Sequence, residues 1–358
     1  MKVAIIGAGI SGLSCALEFE KNGIKPTIFD QKSYIGDVMS YSALWSRLFM
    51  RTFTDPFRYL EKKYGLELNP LFRLKEEIMI SSHKQMTVRA NLGYVVKRGR
   101  EANSLENQLG EKINSTVVFN KFIELNEIAD DFEYIIVATG NNTIAKEMRL
   151  WTPTFNTLNR IATILGDFNT ESANLWLNTK YAKNAFAYLL PNSSKEASLT
   201  LIVNGITHHE LDFYWKEFLV TENINYKITQ TMDAEHNCGF INPFHSGKVY
   251  FVGNTAGLTD DLIGIGSFNA IESGIFAARA ILQNLDYNKM VWPIYKDMIK
   301  LHELRQTMNS FNNHDLDYFV SFLGLPVIKQ FIFRNPLFRL KQTFPMAKLY
   351  NSLKRTMR

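Results

Sequence analysis

A glycine-rich turn near the N-terminus constrains this chain more than any other feature. Val3–Ile6 is a short apolar run that predicts a strand, and residues 13–19 continue with helical periodicity. Between them stand three glycines at the G-x-G-x-x-G spacing: Gly7, Gly9 and Gly12. A second predicted strand, residues 26–29, ends on Asp30. This order of elements predicts a mononucleotide-binding α/β unit: a strand, a glycine turn, a helix, a second strand and an acidic residue.

Each glycine of this turn has its own physical role. Gly7 permits the tight turn, Gly9 lets a pyrophosphate approach the backbone, and Gly12 lets helix and strand pack closely. The phosphates are expected over the helix N-terminus, and Asp30 is placed to accept a hydrogen bond from a ribose hydroxyl. The alternative is a purely structural strand–helix turn. The predicted dinucleotide contacts in this unit are Gly7, Gly9, Ile10, Ser11, Gly12, Asp30 and Gln31.

Composition bounds the rest of the chain. Its 358 residues are 46% hydrophobic and 21% charged, as in a soluble globular protein of about two domains. The only cysteines, Cys15 and Cys238, match no disulfide framework and no metal-ligand spacing, so we expect a reducing compartment and no metal site. We see no signal peptide and no apolar run of about eighteen residues, so we expect a cytoplasmic protein.

Two other residue groups invite a chemical interpretation that their context does not support. His208 and His209 are adjacent, so they point in different directions on a helix, and with Glu210 they predict a helix start rather than a metal site. Ser11 and Ser14 lack the G-x-S-x-G context of a hydrolase nucleophile. No second G-x-G-x-x-G motif is present, so a dedicated NAD(P)H domain is not expected.

The pattern along the chain predicts an α/β fold, a Rossmann-like nucleotide-binding domain with an inserted antiparallel β-sheet domain and a C-terminal helical segment. We predict a helix within 41–64, a hairpin over 78–90, antiparallel strands at 175–179, 185–190, 198–203 and 226–231, a helix over 209–221 and a long helix over 266–285. The predicted nucleotide domain comprises 1–45, 85–145 and 240–288; the substrate domain comprises 46–84 and 146–239; the helical segment is 289–358.

Further motifs along the chain resemble the geranylgeranyl reductase family of flavoproteins in order and spacing. Together with the N-terminal unit, they are Arg98 with Leu105, Ala138-Thr139-Gly140, the stretch 249–257, Gly264-Ile265-Gly266 and Ser273-Gly274. The resemblance covers roughly residues 1–285. That family shares its fold with aromatic hydroxylases of the p-hydroxybenzoate hydroxylase type.

The resemblance implies FAD as the cofactor. The additional FAD contacts that it implies are Arg98, Thr139, Gly140, Gly253, Asn254, Gly264, Gly266 and Ser267. The family usually has an aspartate at the position of Asn254, where it accepts from a ribityl hydroxyl, and an asparagine can still form a hydrogen bond there. The turn at Gly264 and Gly266 is expected to present backbone N–H groups to the flavin edge that becomes negative on reduction.

Departures from the family pattern fall at the implied reaction centre. The family has a proline where this chain has Asp261 and a glutamate where it has Ile265. Asp261 is therefore the candidate catalytic residue, as a proton donor; the alternative is a solvent-facing loop acid. Many family members also keep a cysteine in the early loop, but residues 31–60 contain none.

A candidate substrate-binding motif lies in the inserted domain. The order Phe186-Ala187-Tyr188-Leu189-Leu190-Pro191 matches an aromatic-x-aromatic-x-apolar-Pro motif of the resembled family, and flavin halogenases have a similar spacing. Alternation by two places Phe186, Tyr188 and Leu190 on one face of a strand, which suits an isoprenoid or another flat apolar substrate. The alternative is an ordinary sheet-core face.

The end of the chain is basic and aromatic, although the net charge is only +5. No acidic residue follows Asp317, while the basic residues there are Lys329, Arg334, Arg339, Lys341, Lys348, Lys354, Arg355 and Arg358. The pattern fits peripheral contact of 318–358 with an anionic membrane, or a solvated face whose aromatic residues pack on the body. Nucleic acid is disfavoured because no nucleic-acid-binding motif accompanies the charge.

We interpret the chain as an FAD-dependent oxidoreductase that reduces C=C bonds of an apolar, prenyl- or lipid-like substrate. An external donor, NAD(P)H or another reductant, is expected to dock transiently at the flavin. Two alternatives stay open, a flavin monooxygenase of the aromatic hydroxylase type and a non-catalytic flavin-binding protein.

Overall fold

The structure, a computed structural model, describes residues 1–343 and Pro345. Its strands are β1 Val3–Ile6, β2 Thr27–Phe29, β3 Tyr41–Ser46, β4 Phe72–Ser81, β5 Gln85–Arg98, β6 Val117–Val118, β7 Tyr134–Val137, β8 Trp151–Leu165, β9 Ser172–Leu177, β10 Ala187–Pro191, β11 Glu196–Asn204, β12 Lys227–Ile241, β13 His245–Ser246 and β14 Val249–Phe251. Its helices are α1 Ile10–Glu20, α2 Pro56–Tyr64, α3 Leu105–Gly110, α4 Leu125–Ile128, α5 Thr143–Glu147, α6 Thr179–Ala182, α7 His208–Thr221, α8 Ser267–Gln283, α9 Tyr287–Met308, α10 Asn313–Leu323 and α11 Pro326–Lys329.

These elements form two compact units. Unit 1 comprises 1–40, 98–154 and 237–302, and unit 2 comprises 41–97, 155–236 and the chain from 303 onward. The boundaries differ from the predicted ones. Residues 85–97 lie in unit 2 because β5 continues without a break from its hairpin, and the C-terminal segment is divided between the two units rather than separate.

Unit 1 is built on a six-stranded sheet with the order β13-β14-β7-β1-β2-β6. β1 pairs in parallel with β2 and β7, and β14 pairs in parallel with β7. Ile5 of β1 and Ile136 of β7 are fully buried, as expected when both faces of a parallel sheet are covered. The carboxyl ends of β1, β7 and β14 therefore lie at one edge, where doubly wound sheets bind ligands.

Helices α1 and α8 of unit 1 pack closely because glycine leaves room for backbone. A Cβ on Gly274 of α8 would lie 2.2 Å from the Ser11 carbonyl oxygen, and one on Gly12 would lie 2.0 Å from the Gly7 carbonyl oxygen. Arg279 Nε of α8 donates to Glu18 Oε1 of α1 at 2.6 Å. The spacing of the two helices is therefore set by backbone contact, and a partly buried ion pair links them.

Unit 2 is built on an eight-stranded sheet with the order β12-β8-β11-β10-β9-β4-β5-β3. The pairs of β8 to β11 and of β9 to β10 are antiparallel, but β9 pairs with β4 in parallel, so the predicted antiparallel sheet is mixed at this point. Helix α7 covers one face. The core there includes Trp176, Ala187, Leu189, Leu199, Leu211 and Phe218.

The predicted helix within 41–64 is wrong over its first part. Residues 41–46 form β3, and the helix is confined to α2. The cause is tertiary pairing: a Cβ on Gly93 of β5 would lie 2.0 Å from the Trp45 carbonyl oxygen, and Arg47 N–H donates to the Leu92 carbonyl at 2.9 Å. A close approach of two backbones thus overrides the local helical period.

A local signal does mark the true start of α2. The Asp55 carboxylate accepts from the N–H groups of Phe57 and Arg58 at 3.0 and 3.1 Å, and Pro56 occupies the first helical position. An N-cap followed by proline is a recognisable helix start.

The long strand β8 was not predicted. Pro153, Asn156 and Asn159 are poor strand residues and obscure its pattern. The strand forms nevertheless because it pairs with β11 from Thr157↔Asn204 to Leu165↔Glu196. The predicted hairpin over 78–90 and the helix over 209–221 are confirmed as β4–β5 and α7, and Thr207 with Glu210 forms a capping box at the start of α7.

No single helix among the described residues is long and apolar enough to cross a membrane. Two consecutive helical segments, Asn313–Leu323 and Pro326–Arg334, are together long and apolar enough, but they are bent by 74° relative to each other.

The contact between α1 and α8 generates a prediction for Gly274→Ala. The added methyl would meet the Ser11 carbonyl oxygen at 2.2 Å, so the helices must separate. We expect a loss of about 1–3 kcal/mol in the free energy of unfolding, measured by chemical denaturation of the FAD-free protein. Gly9→Ala is the matched control, because its Cβ would meet no protein atom within 4 Å. Equal stability of the two variants would contradict this account of the packing.

Candidate functional site

The predicted loops of unit 1 meet at the carboxyl edge of its sheet. Thr255 Oγ1 accepts from the Gly140 N–H at 3.1 Å, and Asn254 Nδ2 donates to the Gly140 carbonyl at 2.7 Å. A Cβ on Gly253 would lie 2.9 Å from Ser11 Oγ in the first turn of α1. The glycine turn, the end of β7 and the segment after β14 are therefore adjacent, as the sequence predicts.

The first turn of α1 is suited to an anion. Gly9 is its N-cap and no side chain caps the helix, so the first N–H groups of α1 keep donor capacity. A Cβ on Gly9 would meet nothing within 4 Å, whereas Gly7 and Gly12 have no room for one. The open space thus lies at the one glycine that the motif assigns to close approach of a pyrophosphate.

Asp30 lies beside the same turn. One of its carboxylate oxygens accepts from the Ala8 N–H at 2.6 Å and the other from the Lys32 N–H at 2.8 Å. Each carboxylate oxygen has a second lone pair, so both can still accept from ribose hydroxyls. Gln31 is exposed. The geometry suits the predicted role of Asp30.

Asn254, which departs from the family pattern, is integrated into the local structure. Its amide nitrogen donates a hydrogen bond to the Gly140 carbonyl oxygen. An ionised aspartate has no donor and could not form this bond. Its Oδ1 is buried and has no hydrogen-bond partner. Because a buried acceptor without a partner is costly, it suits a ligand hydroxyl at this point. The residues present therefore fit a dinucleotide, both at the glycine turn and at Asn254.

Arg98 is held by the helix that follows it. Its Nε donates to Glu106 Oε1 at 2.7 Å, and the Gly99 N–H donates to the other oxygen at 3.3 Å. Ser104 caps that helix by accepting from the Asn107 N–H at 3.2 Å. The guanidinium is thus oriented by a nearly buried carboxylate, and the Arg98 side chain as a whole is three-quarters buried.

The turn that holds Gly264 and Gly266 is organised by Asp260, which the sequence did not single out. The buried Asp260 carboxylate accepts three backbone N–H groups, from Leu262, Ile263 and Ile265, at 2.7–3.0 Å. Burial raises the pKa of this carboxyl to about 7, although these hydrogen bonds lower it. The turn is therefore fixed from inside, as a preorganised electrostatic site requires.

Asp261 is not the solvent-facing loop acid that the sequence left open. It is 6% exposed, and His302 Nδ1 donates to its Oδ2 at 2.6 Å. Its Oδ1 is buried without a hydrogen-bond partner. The His302 ring lies edge-on to Phe240, 5.4 Å between centroids. Sequence reasoning missed His302 because it lies on α9, forty-one residues further along the chain.

The three predicted substrate contacts share one face of the sheet in unit 2. Ala187 and Leu189 of β10 belong to the core under α7, so the alternate residues Phe186, Tyr188 and Leu190 lie on the opposite face. Phe186 and Leu190 are buried and Tyr188 is half-buried. We call this opposite face of β4, β9 and β10 the second sheet face.

The second sheet face continues across the neighbouring strands. Tyr188 pairs with Leu175 of β9, which pairs with Met79 of β4, and all three side chains are half-buried. One step along β4, Glu77 lies on the same face between Ala173 and Val88. Burial raises the pKa of the Glu77 carboxyl to about 7. A neutral carboxyl can donate a hydrogen bond on an otherwise largely apolar face.

The basic C-terminal segment is only partly a charged surface. Arg339 is 1% exposed, and its guanidinium donates to the carbonyls of Met50 and Thr52 at 3.0 and 2.8 Å. It therefore satisfies backbone acceptors, whereas Arg334 is exposed. The other predicted basic residues Lys348, Lys354, Arg355 and Arg358 lie outside the described residues.

A family model for NAD(P)-binding Rossmann-like domains matches residues 5–73. Digeranylgeranylglycerophospholipid reductase 3 of Methanosphaera stadtmanae is 24% identical over 370 aligned positions, which cover 90% of each chain. These matches agree with the N-terminal motif and with the resemblance seen over most of the chain.

Solved structures show the same fold. A geranylgeranyl bacteriochlorophyll reductase-like protein of Thermoplasma acidophilum superposes with a TM-score of 0.73 at 16% identity, over 97% of this chain and 95% of that one. The flavin-dependent brominase Bmp2 gives a TM-score of 0.66 at 14% identity, over 99% and 100%. The fold prediction is thus confirmed: a Rossmann-like domain with an inserted sheet and a helical C-terminal segment. The chain has the fold shared by these reductase-like and flavin-dependent proteins, and over most of its length it resembles the geranylgeranyl reductases.

Gly9→Ala tests the glycine turn as the cofactor site. The variant should fold normally, because its Cβ meets no protein atom within 4 Å, yet the methyl would occupy the space left for a pyrophosphate. We expect the affinity for FAD to fall about tenfold or more, measured by titration of flavin fluorescence. A variant that binds FAD as the wild type does would remove the pyrophosphate from this turn.

Glu77→Gln tests the buried carboxyl. A folded-state pKa of about 7 against an ordinary 4.5 means that ionisation favours the unfolded chain, so stability is lost as the pH rises from about 4.5 to 7. Glutamine should therefore stabilise the protein at pH 8 by up to about 3 kcal/mol, and by little below pH 4.5.

The neighbouring Glu76→Gln is the matched control for this prediction. Arg89 and Ser172 hydrogen-bond the Glu76 carboxylate and lower its pKa. The ionised Glu76 carboxylate therefore stabilises the fold above the ordinary pKa of a glutamate, and this effect is lost in acid. Replacing Glu76 by glutamine should lower the free energy of unfolding at pH 8. Denaturation curves at pH 4 and pH 8 measure both. The same sign for the two variants would show that the carboxyls are not in opposite environments.

Proposed function

We propose that this chain reduces C=C bonds of an apolar, prenyl- or lipid-like substrate, with FAD as its cofactor. The observation that carries the proposal is the second sheet face, where Met79, Leu175 and Tyr188 form a half-buried apolar row across three strands. An apolar surface with few polar groups suits an alkene chain, which offers no hydrogen bonds. The similarity over 90% of the chain to a protein named as a reductase of a geranylgeranyl lipid supports the same class of substrate.

FAD, when bound, supplies the hydride for such a reduction. The chain's own part is to hold and orient the cofactor. In this proposal the N-terminus of α1 holds the pyrophosphate and Asp30 a ribose, while Asn254 Oδ1 accepts from the ribityl chain. The turn fixed by Asp260 presents the N–H groups of Gly266 and Ser267 to the flavin edge, and Arg98 lies near the cofactor.

Reduction of an alkene also needs a proton for the second carbon, and Asp261 with His302 is the pair that we assign to it. The 2.6 Å hydrogen bond joins a ring nitrogen to a carboxylate oxygen, so the pair can share one proton between Nδ1 and Oδ2. Sequence reasoning proposed Asp261 alone. The structure supports a pair, since an unprotonated Asp261 buried without His302 would be a costly isolated charge.

Glu77 adds a polar group to an otherwise apolar surface. Because its carboxyl is neutral up to about pH 7, it can donate to an ether or hydroxyl oxygen of the substrate. A lipid-like molecule with one polar end and an unsaturated chain matches this arrangement. An external donor, NAD(P)H or another reductant, supplies electrons to FAD in this proposal.

The reduction itself is tested with FAD-loaded protein under anaerobic conditions. After photoreduction, an unsaturated glycerolipid with geranylgeranyl chains should return the flavin spectrum to its oxidised form. Mass spectrometry should find a lipid heavier by two hydrogen atoms for each reduced bond. Reoxidation that requires oxygen and yields a hydroxylated product would replace the proposal with a monooxygenase. Bound FAD without turnover with any donor or alkene would favour a non-catalytic flavin protein.

The proton-holding pair is tested with Asp261→Asn and His302→Gln. Each should lower kcat about tenfold to a hundredfold, because a positioned acid contributes at least that much. The pH profile of kcat should lose the limb that reports the pair, while KM and FAD affinity stay within about twofold. His245→Gln, on a half-buried histidine of unit 1 that stacks on Tyr250, is the control and should leave the profile unchanged. Unchanged pH profiles in the first two variants would remove the pair from proton transfer.

A further inference from the structure

The segment 313–337 presents an apolar surface to solvent. Six large apolar side chains there are between 51% and 77% exposed: Tyr318, Phe322, Leu325, Val327, Phe331 and Leu337. We call these six residues the apolar patch. Six such side chains in one segment are unusual for a surface in contact only with water, and exposed apolar patches mark interaction sites.

Packing within unit 2 does not account for the apolar patch. Helix α10 uses a different stripe, Leu316, Val320 and Leu323, to dock on the unit, and these residues are at most 7% exposed. Tyr318 and Phe322 lie four residues apart on the outer side of the same helix. The helix is therefore apolar on two sides, and only the inner side is used.

The segment that carries the patch is anchored firmly. The Arg47 guanidinium donates to the carbonyls of Phe333 and Asn335 at 2.7 and 2.8 Å. Asp317 accepts from Ser81 Oγ at 2.6 Å and from the His83 N–H at 3.0 Å. The patch is thus held on a fixed scaffold and does not depend on local rearrangement to become exposed.

Charge decides which partner fits the apolar patch. From Tyr318 to Thr343 the chain has no acidic residue, while Lys329 and Arg334 stand among the apolar side chains. Helix α10 and residues 326–334 together have the length and apolar composition of a membrane span, yet the 74° bend between them opposes a straight span. Aromatic side chains with lysine and arginine and without acids suit the interface of an anionic bilayer, where the charges reach the headgroups.

We propose that the apolar patch docks the protein on the surface of an anionic lipid bilayer, with Lys329 and Arg334 at the headgroups. The proposal rests on the exposure and anchoring of 313–337 and on the absence of acidic residues from 318 to 343, and it does not depend on the reaction assigned above. It fits a protein that takes its substrate from a lipid phase, but a protein with another reaction could dock in the same way.

The test is co-sedimentation of the full-length, FAD-loaded protein with vesicles. The wild type should pellet with vesicles of phosphatidylcholine and phosphatidylglycerol, and about tenfold less with phosphatidylcholine alone. The triple variant Phe322→Ser, Val327→Ser, Phe331→Ser should lose about tenfold or more of the binding to anionic vesicles. Lys329→Gln with Arg334→Gln should weaken binding at low salt and remove most of its salt dependence.

The matched control removes exposed apolar side chains elsewhere in unit 2. Phe213 and Val220 of α7 are 61% and 67% exposed, so Phe213→Ser with Val220→Ser removes two side chains of the same types and similar exposure and should leave binding intact. Circular dichroism and light scattering verify folding and mass of each variant. Equal pelleting of wild type and triple variant, or no pelleting of the wild type, overturns the proposal. A wild-type dimer that the triple variant converts to a monomer overturns it as well, because the patch would then bind a second copy.

Discussion

Backbone contact at glycine is the constraint on which unit 1 depends. Gly12 rests on the Gly7 carbonyl and Gly274 on the Ser11 carbonyl, while a Cβ on Gly7 would lie 2.4 Å from the Ala138 carbonyl oxygen. Because no side chain separates these backbones, α1 packs closely against the sheet. Its first turn therefore lies at the edge formed by the carboxyl ends of β1, β7 and β14. The anion site lies beside this packing: Gly9, which has open space at its Cβ position, leaves the N-terminus of α1 uncovered.

Polar side chains then fix the loops around that edge. Asn254 and Thr255 join the segment after β14 to the Gly140 loop, and Asp260 holds the turn before α8 from inside. Asn254 shows why a departure from a family pattern need not abolish a site: its amide donates to a carbonyl that an aspartate would repel, and its oxygen keeps the acceptor role. At Asp261 the departure introduces a carboxylate together with a partner, His302.

What the sequence predicted, and what it did not, follows from the range of the interactions. The glycine turn, the β4–β5 hairpin and α7 are specified by neighbouring residues, so local pattern sufficed. Residues 41–46 form β3 because Gly93, far along the chain, has no side chain and lets the Trp45 carbonyl pack closely against its backbone. Asp261 was singled out as a departure from the resembled family, but its burial and its bond to His302 depend on the position of α9, which no local pattern encodes. Glu77 was missed because a single glutamate in a strand shows its environment only when the register with Ala173 and Val88 is known.

The two faces of the sheet in unit 2 obey different rules. Under α7 the core consists of closely packed aromatic and aliphatic side chains, as in other folded domains. The second sheet face instead mixes an apolar row with a carboxyl whose burial raises its pKa, which destabilises the fold at neutral pH. The outer side of α10 likewise exposes apolar residues that the fold does not use, although Leu316 and Val320 on its inner side already dock the helix. Folding does not require an apolar side chain at Phe322, which is 51% exposed, and the raised pKa of Glu77 lowers the stability of the fold at neutral pH. In the two proposals above, the Glu77 carboxyl serves a substrate with one polar end, and the exposed side of α10 serves a lipid surface.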